Sequence, residues 1–197
     1  MPKALSILRD EHRSLSAVLS GLCELARIAR NPGVRPHFDV FRAMIYYIDT
    51  FPEREHHPKE DTYLFATLVQ RDPQAKTLVD ALKAEHVKGA QMVRELERAL
   101  NELELVWPKG ASEFEAAAQS YAKFHWNHMR QEEQELLPLA ERALTADDWL
   151  EMEKAFAANN EPLRGPAHTD FKALYQRILN LAPAPVGLGD HWEKVSL

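Results

Sequence analysis

His56-His57-Pro58-Lys59-Glu60-Asp61-Thr62-Tyr63-Leu64-Phe65 and His128-Met129-Arg130-Gln131-Glu132-Glu133-Gln134-Glu135-Leu136-Leu137-Pro138 are the two stretches on which the reading of this chain turns. Each sets a glutamate four residues after a histidine, so on a helix the two side chains share one face about a turn apart. Each also continues an apolar stripe in steps of three and four. The second helix reads Phe41, Ile45, Ile48, Pro52, His56, Glu60, Leu64, and the fourth reads Phe114, Ala118, Tyr121, His125, His128, Glu132, Leu136, Leu139. Two further helices carry the same interruption. The first reads Leu5, Leu8, His12, Leu15, Leu19, Leu22, and the third Val79, Leu82, His86, Gly89, Val93, Leu96, Leu100. A stripe with this period is the core-facing side of a helix.

Buried polar atoms without partners cost a few kcal/mol each, and a bare carboxylate costs more. The polar positions must therefore satisfy one another, and their heights allow it. His12 lies 18 residues before the first helix ends near Arg30, and His56 lies 18 after Phe38, so both sit about 27 Å from their shared loop. His56 lies 14 residues before Gln70 and His86 lies 13 after Pro73; His86 lies 20 before Val106 and His128 16 after Ser112. In an antiparallel bundle the four histidines fall at one level. Cations resolve the burial conflict there, because neutral imidazoles and carboxylates both pair with positive charge. One carboxylate from each of two opposed helices can bridge two metal ions, with imidazoles in terminal positions. Such nitrogen and oxygen donors without thiolate suit iron, manganese or zinc, and a carboxylate-bridged pair favours iron.

Composition agrees with a helical, globular chain. Only 7 of 197 residues are glycine, 45% are hydrophobic and 27% charged. The net charge of −6 comes without a basic block, so nucleic acid is not an expected partner. No apolar run approaches the ~20 residues of a membrane span, and the start Met1-Pro2-Lys3-Ala4 leads straight into a charged amphipathic segment, so a cytoplasmic location is expected. Cys23, the only cysteine, leaves no intrachain disulfide and no thiolate cluster.

The spacing and stop signals predict helices over about 2–30, 38–70, 73–106 and 112–143, with kinks at Pro52 and Pro58 and a capping box at Ser112 and Glu115. A shorter fifth helix follows Thr145 and a sixth spans about Thr169 to Leu181, before a Pro- and Gly-rich tail expected to lie along the surface. The expected fold is all-α: an up-down-up-down four-helix bundle over residues 1–145, with a C-terminal helical extension and irregular tail over 146–197 packed on it. A homodimer is one use for that extension.

The two His-x-x-x-Glu stretches resemble the paired signatures of the hemerythrin-like (HHE cation-binding) family, and Asp10-Glu11-His12 and Glu85-His86 resemble its other two ligand helices, over about residues 3–143. The resemblance implies a di-iron centre with His12, His56, His86 and His128 as terminal ligands and Glu60 and Glu132 as bridges. It also exposes a departure. Oxygen-carrying members place a second histidine one turn after the third-helix ligand, where this chain has Ala90. The centre then has a ligand fewer, its place filled by water, His57, His125 or a carboxylate, which suits sensing or redox chemistry better than reversible dioxygen carriage.

Around this set, His125 reads as a residue that orients a ligand or as an extra ligand, and His57, about 100° from His56 on a helix, as an inter-helix or gating residue. Asp61 and Glu133 read as solvated or bonded to ligands, with Glu133 an alternative bridge to Glu132. His37, His168 and His191 read as surface residues; Tyr121 and Trp126 read as core aromatics. Ferritin-like centres need Glu-x-x-His on two helices, and only Glu53-Arg54-Glu55-His56 fits; the zinc-protease motif His-Glu-x-x-His is absent. Three functions remain: a protein that binds or senses dioxygen, nitric oxide or peroxide; an enzyme that removes peroxide or oxidises ferrous iron; and a helical module whose polar layer only fixes register.

Overall fold

A computed structural model describes residues 2–157 and 171–195. Four antiparallel rods form the bundle. The first is α1 (Lys3–Ala29). The second joins α2 (Phe38–Thr50), the single turn α3 (His57–Lys59) and α4 (Ala66–Arg71) through two π-helical segments, Pro52–His56 and Glu60–Phe65. The third is α5 (Lys76–Val106), and the fourth is α6 (Ala111–Gln131) continued through a π-helical segment, Glu132–Leu136, into α7 (Leu137–Ala143). Each rod packs on its neighbours in sequence, and α6 closes the ring against α1.

The rods' inner stripes build two apolar clusters, one on each side of a polar layer. Leu15, Leu19, Leu22, Phe41, Ile48, Val93, Leu96 and Phe114 belong to one, and Leu5, Leu8, Leu64, Phe65, Leu82 and Leu136 to the other. The layer between them is therefore walled off by hydrocarbon. α8 (Ala146–Ala157) closes the second cluster with Trp149, Met152 and Phe156. Thr145 starts it: the Thr145 N–H donates to Asp148 Oδ2 at 2.8 Å and the Asp148 N–H to Thr145 Oγ1 at 3.3 Å.

Several boundaries differ from the sequence reading. Helix α6 starts one residue before Ser112, after Gly110, whose φ of 83° only glycine adopts cheaply. No side-chain cap forms there; Glu115, the expected capping-box partner, instead accepts from the Arg30 guanidinium at 3.0 Å. The start of the expected sixth helix, and His168, lie outside the described residues; the rest of that helix is α9 (Phe171–Leu181), packed on α2.

The tail is not wholly superficial. Trp192 is buried against Phe41, with ring centroids 5.8 Å apart. Val186 packs so closely on α1 that a Cβ at Gly21 would meet it at 2.8 Å. A two-residue antiparallel ladder, β1 (Val34–Arg35) with β2 (Glu193–Lys194), ties the tail to the α1–α2 loop.

Candidate metal centre

The polar layer gathers His12, His56, His86, His128, Glu60 and Glu132, none more than 6% exposed. The imidazoles form two pairs. The Nε2 atoms of His12 and His56 are 3.2 Å apart, and those of His86 and His128 are 3.1 Å apart. The two carboxylates lie between the pairs and offer one oxygen to each. Glu60 Oε1 is 3.3 Å from His56 Nε2, while its Oε2 is 3.6 Å from His86 Nε2. Glu132 Oε2 is 3.4 Å from His12 Nε2, while its Oε1 is 3.3 Å from His128 Nε2.

Every one of these imidazoles is held from behind by a carboxylate. His12 Nδ1 donates to Glu133 at 2.9 Å, His56 to Glu11 at 2.8 Å, His86 to Asp61 at 3.1 Å and His128 to Glu85 at 2.8 Å. A proton kept on Nδ1 leaves the Nε2 lone pair facing inward, the arrangement that orients metal-binding histidines. Two such lone pairs cannot face each other at 3.1–3.2 Å without a proton or cation between them. Ligands about 2.1 Å from a shared ion stand roughly 3.0–3.4 Å apart, so these spacings fit one ion per pair. Glu60 Oε2 and both Glu132 carboxylate oxygens are buried without a hydrogen-bond partner, which also fits cation binding.

Without metal, protons take the cations' place. Burial pulls the His12 pKa down, but contacts with Glu132 and Glu133 outweigh it and raise it to about 8. His128 is raised to about 10: burial opposes ionisation, and the charge of Glu132 with contacts to Glu132 and Glu85 overcomes it. His56 and His86 are raised against the same burial penalty, by Glu60 and Glu11 for the former and chiefly by Asp61 and Glu132 for the latter. Burial opposes the ionised form of Glu132, yet the surrounding imidazoliums hold its pKa well below the usual carboxylate range.

His57, expected to act between helices, packs from the second rod against histidines of the third and fourth. It is buried and stacks on His86, with centroids 4.1 Å and planes 10° apart. The π-helical turns supply the reason: their wider turn lessens the angle between neighbours, so His56 and His57 both face the interior. A donor atom of His57 lies within 4.8 Å of donors from Glu60, His86 and His128. The in-plane lone pairs of two nearly parallel rings do not converge, however, so His57 and His86 do not aim at one point. His57 Nδ1 instead lies 3.3 Å from Glu53 Oε2.

Behind it lies a second polar group. His125 Nε2 is 3.5 Å from Glu53 Oε1, which accepts from the Tyr121 hydroxyl at 3.0 Å. Burial opposes charge on both groups. It raises Glu53 to about 7 and, with the charges of His128 and His86, lowers His125 to about 3. A Cβ at Gly89 would stand 3.1 Å from both Glu53 Oε1 and His125 Nε2, so the glycine makes room for this group.

On the other side, an open groove of about 510 Å³ reaches His12 between Arg13, Ser16, Trp126, Met129 and Glu133. Trp126, expected in the core, is 38% exposed at its rim. Glu133 hydrogen-bonds His12 and does not enter the space between the imidazole pairs. His37 and His191 are on the surface.

Sequence reasoning singled out Asp61 and Glu133 but missed Glu11, Glu85 and Glu53. The first two had a signal: each immediately precedes a stripe histidine and lands behind the histidine of the next rod. Among the described residues, no helix is long and apolar enough to cross a membrane. The family model of the hemerythrin HHE cation-binding domain matches residues 3–140. No curated protein matches the chain.

Proposed function

The chain belongs to the hemerythrin HHE cation-binding family, and from that premise we propose that it is a non-haem di-iron protein that binds a small ligand of the dioxygen, nitric oxide or peroxide type. His12 and His56 would hold one ion and His86 and His128 the other, with Glu60 and Glu132 offering an oxygen to each. Zinc or manganese could fill the same donors. The observation that carries this reading is the pairing of inward Nε2 atoms at 3.2 and 3.1 Å around two shared, partnerless carboxylates. When bound, such an iron pair supplies redox equivalents and an open coordination position.

The chain's own residues do the rest. Glu11, Asp61, Glu85 and Glu133 fix the ring orientations, and the two apolar clusters exclude bulk water. Ala90 leaves free the place of a further third-rod ligand. A module that merely fixes register would not need six donors aimed at one space.

Metal analysis joined to an optical spectrum of the oxidised protein tests this. Two irons per chain with near-ultraviolet absorption are expected; a chain purified from iron-rich medium with no metal would refute it. Peroxide turnover is a second reading, favoured by the hydrogen-bonding group around Glu53, and steady turnover abolished by His56→Ala would establish it.

A further inference from the structure

The four imidazoles that frame the metal space are not equally held. Three of them pack against rings beyond their own pair. His86 lies between His57, 4.1 Å away and 10° from parallel, and Phe65, 5.5 Å away and 15° from parallel. His128 meets His57 at 5.5 Å and His125 at 6.2 Å. His56 meets His57 at 5.6 Å and Phe51 at 5.9 Å, and Phe51 is covered in turn by Phe171 of α9 at 5.0 Å. Among the described residues, the ring of His12 meets only that of its mate His56, at 5.1 Å.

There is also room behind His12. The groove of about 510 Å³ between the first and fourth rods reaches it past Ser16, Trp126 and Met129. Glu133, the acid that holds His12 from behind, lines the same groove, and its side chain is 40% exposed against 14% for Glu11 behind His56. Met129 is unbranched and yields easily. A close-packed side chain turns outward only where it has few contacts to break and space to enter. His12 meets both conditions.

We propose that His12 is the mobile ligand of the centre: with Glu133 it turns into the groove, and the ion it shares with His56 leaves and enters by that way, ahead of the ion held by His86 and His128. This rests on the two-metal reading and adds an order of exchange to it. With His12 turned out, His56 and one oxygen each from Glu60 and Glu132 still face the ion, and water reaches it from the groove. Each further ring contact that must be broken slows such a turn by about two- to tenfold. His86 and His128 carry those contacts and His12 does not.

Zinc-loaded protein mixed with excess coloured chelator provides the test, since release is read directly and no turnover is needed. Release should show two phases of one ion each, the fast one about tenfold or more ahead of the slow one. His12→Ala should retain one ion and show the slow phase alone. Ser16→Trp, which fills the groove, should slow the fast phase several-fold and leave the slow phase and the total zinc as they were. Trp126→Ala, which widens the rim, should quicken the fast phase, and it decides alone if Ser16→Trp does not fold. A single phase for both ions, a fast phase that persists in His12→Ala, or one that the groove variants leave unchanged would overturn this inference and leave the metal centre standing. Failure to bind zinc at all would overturn both.

Discussion

The two halves of the centre are related by an approximate twofold that exchanges the first rod with the third and the second with the fourth. His12 and His56 then correspond to His86 and His128, Glu60 to Glu132, Glu11 to Glu85, and Asp61 to Glu133, each acid bonding the equivalent imidazole. One turn away the likeness ends. Leu15 answers Gly89, Glu53 answers His125, and Met129, beside the groove, answers the buried His57. Positions that would touch metal are duplicated, whereas positions that would touch a third party are not. An equal pair of ions needs equal donors; a ligand bound to one of them needs only one prepared side.

The largest effect should come from a shared residue. Glu132→Ala removes an oxygen from both halves, so bound metal should fall from two ions per chain to fewer than one. Retention of a full ion would mean that the halves are independent and that Glu132 does not bridge them. Removing a terminal ligand should separate them. His12→Ala and His128→Ala should each leave about one ion, bound by the untouched pair, and cobalt(II) absorption of the two variants should differ because only one retains the His57 side. Identical spectra would say that the asymmetry beyond the donors does not reach the metals.

Proton binding sharpens the same contrast in the metal-free chain. His12 and His128 are raised from 6.5 in the unfolded chain to about 8 and about 10 in the folded one. A raised pKa contributes stability that is fully present below 6.5 and is lost as pH rises through the folded value. Glu53, raised to about 7, acts in the same direction, its contribution being lost between the ordinary carboxylate range and 7. Urea midpoints of the metal-free protein should therefore fall as pH rises from 6.5 to 10, the His12 half losing its contribution first. A midpoint that climbs over that range would break the comparison. Metal binding should release protons throughout it, since metal and proton compete for the same Nε2 atoms.

The centre itself was legible because its cause is periodic: a polar residue in an apolar stripe recurs at matched heights on four helices, and burial leaves it few fates. The inward turn of His57 and the part played by Glu53 were not legible, for the opposite reason. Their inward direction depends on π-helical turns at Pro52–His56 and Glu60–Phe65, where the chain departs from the spacing on which the stripe was read. The expected capping box failed in the same way, since Glu115 had a stronger partner in Arg30, 85 positions away. Local spacing cannot register a contact with that origin.

The smallest effect belongs to Gly89→Ala, where two contributions oppose each other. Alanine in a helix interior is favoured over glycine by about 0.8–1.0 kcal/mol. The new methyl would stand 3.1 Å from Glu53 Oε1 and from His125 Nε2, so one of them must yield by a few tenths of an ångström. Glu53 is the one that can, being the end of a flexible side chain, and its movement would stretch the 3.0 Å bond from Tyr121. Loss of a buried hydrogen bond costs about 1 kcal/mol, so the net change in stability should be within about 1 kcal/mol of zero. Metal content should stay at two, because no donor is displaced, but the His125 imidazole resonances should move while those of His12 stay fixed. If melting and both sets of resonances are unchanged, Gly89 is not the cause of the space beside Glu53, and the two halves are more alike than their neighbours suggest.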